Sequence, residues 1–399
     1  DLSGTGAGGV GALTGTGTAG YTGRISLLAD AQVTASTFND RLTLNGPING
    51  GGNAFTIAGS GTVVLVGTVS DAGSIEQPAT SRIDLGSGQT VETRFGQVYR
   101  GVVTGTDVRL TSTQGGSIEA DNVGNDFSGR MTVSAQNVTL RDANTLELEG
   151  SVSGNLVTTT SQGLLLGTTS VSGTAVFNTS ASVTQDGDVR VGGTTKINAA
   201  GQDVTLGFAG NDFGGRVMVS AEDVTLRDAS ALTLEGVVGG NLVTTTGQGL
   251  LLGATTVGGT AVLNAGGAVT QDGDVQVTGT TALNAAGQNI LLDLLGNDFT
   301  GRVTVSAADV SLRDASDLSL AGSVTGNLIA TSRALLLGTT TVGGTAVLNA
   351  GGTVTQDGDV RVTGTTAVNA PGQPVTLILP DNDFVAPLTI TAGETALQD

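Results

Sequence analysis

The sequence predicts an all-β fold, a parallel β-solenoid, because it repeats on two length scales and alternates apolar with polar residues. The tetrad Gly-Asn-Asp-Phe occurs at residues 124–127, 210–213 and 296–299, and Asn-Asp-Phe returns at 382–384. The spacing between the asparagines of successive tetrads is therefore constant to within one residue. A fixed period of this kind is typical of a repeat array, which buries its core by stacking one copy on the next.

A shorter repeat lies inside each 86-residue copy. Segments with the pattern Gly-x-apolar-x-apolar-polar begin at Gly215, Gly240, Gly259 and Gly279, and the next copy opens with the same pattern at Gly301. Each segment alternates apolar and polar residues and is rich in Val, Thr and Leu, which indicates a β-strand. We therefore expect four rungs per copy, where a rung is one full turn of about 21 residues, stacked roughly 4.8 Å apart.

The regularity of the pattern divides the chain into three regions. Residues 1–20 are rich in Gly, Thr and Ala and are expected to form a flexible lead. Residues 21–123 are predicted to form divergent rungs with side loops. Residues 124–399 hold the regular copies, at 124–209, 210–295 and 296–381, with a partial copy at 382–399. Because the pattern is still in progress at the last residue, we expect end-to-end stacking on itself or on an adjoining β-helix segment.

Composition excludes several classes of partner. The net charge is −19 and the chain contains a single lysine, Lys196. Neither the basic surface that nucleic acid requires nor a polybasic patch for anionic membranes is present. Cysteine is absent, which excludes disulfides and thiolate metal sites, and no apolar run approaches the ~20 residues of a membrane helix. We therefore predict no nucleic-acid partner and no membrane insertion.

The sequence also argues against catalysis. It has no histidine and no cysteine, so the commonest general base and the thiol nucleophile are both missing. Its acidic residues recur at fixed intervals and do not converge on one place, and there is no tryptophan to form a sugar-binding platform. We predict that the protein is not an enzyme.

The expected register aligns one set of polar residues. The residue five positions after each leading glycine is always Ser, Thr or Asn, and the set is Ser134, Thr159, Asn178, Asn198, Ser220, Thr245, Asn264, Asn284, Ser306, Thr331, Asn349 and Asn369. If these residues stack in a single line, like side chains can hydrogen-bond along the axis. We predict a structural ladder, with a ligand-binding stripe as the alternative.

Three further motifs recur. The Asp-Gly-Asp motif supplies weak candidates for Ca²⁺ ligands, and these are Asp186, Asp188, Asp272, Asp274, Asp357 and Asp359. Because too few other oxygen donors accompany them, we favour a turn-forming role and predict no metal or other cofactor.

The tetrad phenylalanines are predicted to pack at rung corners, anchored by the preceding Asn-Asp turn, and these are Phe127, Phe213, Phe299 and Phe384. Turn or surface ion pairs are predicted for Arg141-Asp142, Arg227-Asp228 and Arg313-Asp314.

Several phrases resemble the repeat shafts of the filamentous haemagglutinin family, very large surface proteins of Gram-negative bacteria. They are Asn-Asp-Phe-Gly-Gly, Gly-Asn-Leu, Gly-Gly-Thr-Thr and Val-Thr-Gln-Asp-Gly-Asp. The resemblance implies a right-handed parallel β-helix, export by two-partner secretion, and a role as an adhesin or delivery stalk at the cell surface. The chain lacks the Asn-Pro-Asn-Gly type motif of the family's secretion domain, so the resemblance covers a shaft portion.

These observations support two functional hypotheses. In the first, the chain is the extracellular shaft of a bacterial surface adhesin, whose targets are a host or neighbouring cell surface or glycans. In the second, it is a filament subunit that polymerises head-to-tail through its open β-helix ends. A calcium- or glycan-binding β-helix module is a weaker alternative.

Overall fold

The computed structural model describes all 399 residues and contains two compact units, residues 1–199 and residues 200–399. Within each unit the strands pair in parallel with the strands of the next rung, so the predicted β-solenoid is confirmed. The helical content is one short 3₁₀ segment at Ala7–Gly9. The chain has no helix with the length and apolar character needed to cross a membrane.

The strands of the first unit are numbered β1–β26 in chain order. They are Leu2–Gly4, Leu13–Gly15, Thr18–Tyr21, Ile25–Ala35, Arg41–Leu44, Ile48–Asn49, Phe55–Gly59, Thr62–Leu65, Val69–Ala72, Ile75–Gln77, Arg82–Ser87, Thr90–Thr93, Gln97–Tyr99, Val102–Thr106, Arg109–Ser112, Ile118–Ala120, Asp126–Ser128, Arg130–Ala135, Val138–Asp142, Leu146–Val152, Leu156–Thr160, Leu164–Val171, Ala175–Thr179, Val183–Gln185, Val189–Val191 and Thr195–Asn198.

The strands of the second unit continue the numbering as β27–β50. They are Val204–Leu206, Asp212–Phe213, Arg216–Ala221, Val224–Asp228, Leu232–Val238, Leu242–Thr246, Leu250–Val257, Ala261–Ala265, Val269–Gln271, Val275–Val277, Thr281–Ala285, Ile290–Leu292, Asp298–Phe299, Val303–Ala307, Val310–Arg313, Leu318–Val324, Leu328–Ser332, Leu335–Val342, Ala346–Ala350, Val354–Gln356, Val360–Val362, Thr366–Leu377, Asp383–Phe384 and Leu388–Leu397.

Alternation along each strand places every second side chain in the core. In β32, Leu242, Thr244 and Thr246 are buried, and the two residues between them face outward. Leu242 lies between Val224 and Ala261 in the register, so inward side chains stack on their equivalents in the adjacent rungs. Fully burying one leucine or valine stabilises a fold by about 1.5–3 kcal/mol. Columns of such aliphatic residues therefore build most of the core within each unit.

Between residues 18 and 128, three strands make up each rung of the first unit. Strands β3, β5, β8, β11, β14 and β17 form one side by parallel pairing in that order. Arg41 pairs with Thr62, Thr62 with Arg82 and Arg82 with Val102, so rungs here are close to the length that the sequence predicts. Residues 21–123 therefore lie within the solenoid despite their irregular sequence.

Residues 1–20 also carry strands, which differs from the flexible lead predicted by their glycine content. Strands β1 and β2 pair in parallel with β4, and β3 pairs with β5. Gly17, between β2 and β3, has φ 62°. Glycine adopts this left-handed conformation without steric cost, so the glycines shape the connections while the strands pair.

In the second unit, two columns of buried residues show the length of a rung. The first column is Leu232, Leu250, Val269, Ile290, Val310 and Leu328. The second column is Val224, Leu242, Ala261, Thr281, Val303 and Leu320. The shortest step within these columns runs from Val303 to Leu320, and the longest runs from Thr281 to Val303.

One 86-residue copy does not span a whole number of rungs. Leu328 is the equivalent of Leu242 in the next copy, yet Leu328 lies in the first column and Leu242 in the second. A copy therefore spans about four and a half rungs, where the sequence predicts four. The physical reason is that a rung is shorter than expected at several steps, so strands that are equivalent in sequence exchange sides of the solenoid.

Replacing Thr244 by valine is expected to stabilise the protein by about 1 kcal/mol, because its buried hydroxyl has no hydrogen-bond partner. The next copy already has Ala330 at the equivalent position. Thr246→Val is the matched control, since the Thr246 hydroxyl donates to the Gln248 carbonyl at 2.8 Å. That variant should lose about 1 kcal/mol. Urea denaturation of both variants measures the difference, and equal effects would contradict the prediction.

Candidate functional site

The tetrad asparagine is buried and bonds to the preceding rung. In the second unit, Asn297 Oδ1 accepts the Val275 N–H at 2.9 Å. Asn297 Nδ2 donates to Gln271 Oε1 at 2.8 Å, and Gln271 Nε2 donates back to Asn297 Oδ1 at 2.8 Å. Buried amides need such partners, because an unpaired polar group in the core is costly. The reciprocal pair satisfies both side chains and ties two rungs together.

The tetrad phenylalanine is held from the following rung by a buried carboxylate. The Phe299 N–H donates to Asp314 Oδ2 at 3.3 Å, and the Ser316 N–H donates to Asp314 Oδ1 at 2.8 Å. Asp314 is only 3% exposed. We name the set Gln271, Asn297, Phe299 and Asp314 the Asn-Asp-Phe box. It connects three successive rungs.

The contact between phenylalanine and aspartate recurs at every tetrad. In every one, the phenylalanine N–H donates to an aspartate fifteen residues later, and the pairs are Phe127 with Asp142, Phe213 with Asp228 and Phe384 with Asp399. All four tetrad phenylalanines lie in the core and are at most 6% exposed. Their N–H groups are anchored by this aspartate, whereas the sequence pattern predicted the preceding Asn-Asp turn in that role.

The Arg-Asp pairs predicted from the sequence do not form between neighbours. Asp142, Asp228 and Asp314 turn inward and are 0–3% exposed, where they serve the boxes. The Arg141 side chain instead bonds to Asp121 at 2.8 Å, on the preceding rung. Strand geometry explains the difference, because adjacent side chains of a strand point to opposite faces.

Burial raises the pKa of three box aspartates, Asp142, Asp228 and Asp314. It raises the pKa of Asp142 to about 6, even though backbone N–H groups of Asn144 and Phe127 stabilise the charged form. Burial raises the pKa of Asp228 and of Asp314 in the same way. Beside each of these three aspartates an outer carboxylate, such as Asp298 beside Asp314, raises the pKa further.

The box lies where the rung length changes. The step that contains Asn297, from Thr281 to Val303, is the longest of the second column, and the next step, to Leu320, is the shortest. Phe299 is the last residue of β39, and its N–H donates to the Asp314 side chain and not to another strand. Strand pairing on one side of the solenoid therefore ends at the box, and the chain continues on a different side.

An arginine on the outer surface crosses several rungs in each copy. In the second unit, Arg216 Nη1 donates to Glu235 at 2.5 Å, and Nη2 donates to Asp272 at 2.6 Å. A methyl group on Gly253, which lies between these two acids, would clash with Arg216 Nη1. We name Arg216, Glu235, Gly253 and Asp272 the arginine staple. Its geometry requires glycine at position 253.

The staple accounts for the first aspartate of each Asp-Gly-Asp motif. Arg130 bonds to Glu149 at 3.1 Å and to Asp186, and Arg302 bonds to Asp357. The arginines hold the pKa of Asp186 and Asp272 below its usual value. The second aspartates, at 188, 274 and 359, do not join the staples through hydrogen bonds. No group of three or more carboxylates is placed to hold a metal ion.

The predicted polar column forms three separate ladders and not one line. The ladders are Thr159, Asn178 and Asn198; Thr245, Asn264, Asn284 and Ser306; and Thr331, Asn349 and Asn369. Within them, Asn284 Nδ2 donates to Asn264 Oδ1 at 2.9 Å, and Asn369 Nδ2 donates to Asn349 Oδ1 at 2.9 Å. Amide-to-amide bonds along the axis are therefore present within each ladder.

Each ladder is interrupted at the serine that opens a copy. Ser134 pairs with Ser151, Ser220 with Val237 and Ser306 with Ser323, so none of them stacks on the threonine that follows in the sequence pattern. The exchange of sides at each box is the cause. The single-line register is therefore wrong, although the type of contact within each ladder is the predicted one.

A second kind of ladder, in which side chains bond to backbone N–H groups, was not predicted from the sequence. At a corner of the second unit, Asp223 Oδ1 accepts the Asn241 N–H at 2.6 Å, and Asn241 Oδ1 accepts the Thr260 N–H at 3.0 Å. The same contacts join Asp309, Asn327 and Thr345. The Gly-Asn-Leu phrase was the available signal, because an Asn that follows Gly at a strand start favours local side-chain to backbone bonding.

Lowering the pH from 7 towards 4 is expected to stabilise the fold through Asp142. Its folded pKa of about 6 exceeds the value of 3.8 for an exposed aspartate, so the folded state binds the proton more tightly. This stability is complete below pH 3.8 and is lost as the pH rises through 6. Asp142→Asn should flatten the dependence of the denaturation midpoint on pH, whereas the exposed Asp381→Asn should not. Equal slopes in all three proteins would disprove the assignment.

Gly253→Ala is expected to break the arginine staple and to cost about 1 kcal/mol of stability, close to the cost of Arg216→Met. Because both changes remove the same contacts, the double variant should lose little more than either single variant. A double-mutant cycle at low and at high salt measures this coupling. Fully additive losses would show that Gly253 does not act through Arg216.

Three segments of the chain, residues 153–220, 239–306 and 326–391, match the family model described as repeats of unknown function (DUF5649). No curated protein and no solved structure matches the chain. The matched segments contain the three polar ladders and the three Asp-Gly-Asp motifs, and together they cover just over half of the sequence. The chain therefore belongs to the family of repeats of unknown function (DUF5649).

Proposed function

We propose that this chain is a non-catalytic structural shaft, which separates other parts of an extracellular adhesin or fibre. The observation that supports the proposal is that polar side chains in every copy bond along the axis. Arg216 reaches the rung of Asp272, and Asn284 bonds to Asn264. Side chains used in this way hold neighbouring rungs together. A solenoid whose rungs are held together in this way becomes longer with each added copy and needs no central site.

The proposed location is the surface of a Gram-negative bacterium. The repeated phrases that resemble filamentous haemagglutinin shafts support this location. The net charge of −19 would also keep neighbouring shafts apart in solution. In this proposal, host or neighbouring cell surfaces and glycans are bound by other parts of the assembly. Protease treatment of intact cells tests the location, and protection of the chain until lysis would contradict it.

Inserting a second copy of residues 210–295 is expected to lengthen the particle by about 20 Å, since rungs stack roughly 4.8 Å apart. Electron microscopy of the purified proteins measures the length. A Gly/Ser insertion of the same length at the same place is the control, because a flexible linker adds no rigid length. A solenoid insertion that leaves the length unchanged would refute the role as a shaft.

Denaturing size analysis of native material separates the shaft from the filament hypothesis. A shaft of a large adhesin should remain a single chain far larger than 39.2 kDa. Fibres that dissolve into a species near 39.2 kDa would instead identify a polymerising subunit. Both outcomes are read from the same gel.

A further inference from the structure

A groove of about 480 Å³ on the surface of the second unit interrupts the repeating pattern. Its walls are Leu291 and Ile329, whose exposed fractions are 45% and 44%. Ser311 lies between them, because Leu291 pairs with Ser311 and Ser311 with Ile329 in the register. The walls are therefore two strand spacings apart, about 10 Å. The small serine forms the floor of a notch one rung wide.

The walls of this groove depart from the other copies. Thr205 and Val243 occupy the equivalent positions in the preceding copy, and Thr376 is the equivalent of Leu291 in the following copy. Leucine in place of threonine and isoleucine in place of valine both add apolar surface at these outward-facing positions. Exposed apolar clusters in soluble proteins commonly mark an interaction site. The internal repeat therefore supplies its own reference surface, on which Thr205 and Val243 replace the two wall residues.

One carboxylate gives the groove its charge. Asp309 is the only charged residue among those that line it. Its Oδ1 accepts the Asn327 N–H at 2.7 Å and the Asn327 Nδ2 at 3.2 Å, and its Oδ2 remains available at the exposed rim. Arg313, on the same strand as Ser311, is not part of the lining. The groove thus combines aliphatic walls with a negative rim.

The overall charge favours a cationic partner over a second copy of this chain. Two copies would each carry a net charge of −19 and repel one another. A lysine or arginine side chain matches the groove, because its aliphatic stem packs on apolar surface while its charged end stays at the rim. Charge complementarity of this kind also speeds encounter between partners.

We propose that this groove binds an extended, positively charged segment of a protein partner. A lysine or arginine stem lies between Leu291 and Ile329, above Ser311, and its cationic end contacts Asp309 Oδ2. The strands beneath the groove are already paired on both edges, so the segment is held by side-chain contacts and not by strand addition. This function is additional to the structural role proposed above.

Fluorescence anisotropy of a labelled short peptide of alternating leucine and lysine tests the proposal. In the variant Leu291→Thr/Ile329→Val, which restores the residues of the preceding copy, affinity should fall at least tenfold. Asp309→Asn should weaken binding and reduce its dependence on salt. A leucine–glutamate peptide of the same length should not bind. Thermal melting confirms that the variants remain folded.

A gain-of-function variant provides the matched control within the same chain. Thr205→Leu/Thr225→Ser/Val243→Ile builds the two walls and the serine floor in the preceding copy, where Asp223 occupies the position of Asp309. The stoichiometry of peptide binding should rise from one to two. Unchanged affinity in the reversal variant would overturn the proposal. Self-association of the protein that disappears in that variant would also overturn it, because a second copy would then be the occupant.

Discussion

No rung of this solenoid can satisfy its own backbone. Each strand finds the partners of its N–H and C=O groups in the rungs before and after it, as Thr245 does between Arg227 and Asn264. The same axial spacing then acts on the side chains. Inward positions form aliphatic columns, and outward polar positions meet their equivalents roughly 4.8 Å away. The ladders, the arginine staples and the boxes are three ways of meeting this one constraint.

The Asn-Asp-Phe box resolves a conflict between copy length and rung length. Because a copy spans about four and a half rungs, one side of the solenoid must end inside each copy. A strand end in the core leaves buried N–H groups without partners, which is costly. Asn297 and Asp314 supply side-chain oxygens for the Val275 and Phe299 N–H groups at this place. The raised pKa of Asp142, Asp228 and Asp314 is a consequence of placing a carboxylate where a strand would otherwise be.

The sequence predicted the fold class because strand alternation and a fixed period are local signals. It did not predict the register. The number of residues between leading glycines does not show whether the chain has made one full turn of the solenoid or only part of one. Thr159 and Asn178 stack as expected, yet Ser134 stacks on Ser151. Likewise, Arg130 and Asp186 are far apart in the sequence, and their contact depends on that register. The glycines at 167 and 253 gave no separate signal, because glycine is common throughout the chain.

Because equivalent strands exchange sides of the solenoid from one copy to the next, the effect of adding copies depends on whether their number is odd or even. Recombination between two copies would add or remove a whole copy at a time. Adding one copy would rotate every later residue by about half a circle around the axis, whereas adding two would restore the original orientation. Lineages that differ by an odd number of copies would present a downstream surface in opposite directions, although its sequence and fold were identical. Selection on such a protein could therefore act on whether the count is odd or even, separately from length.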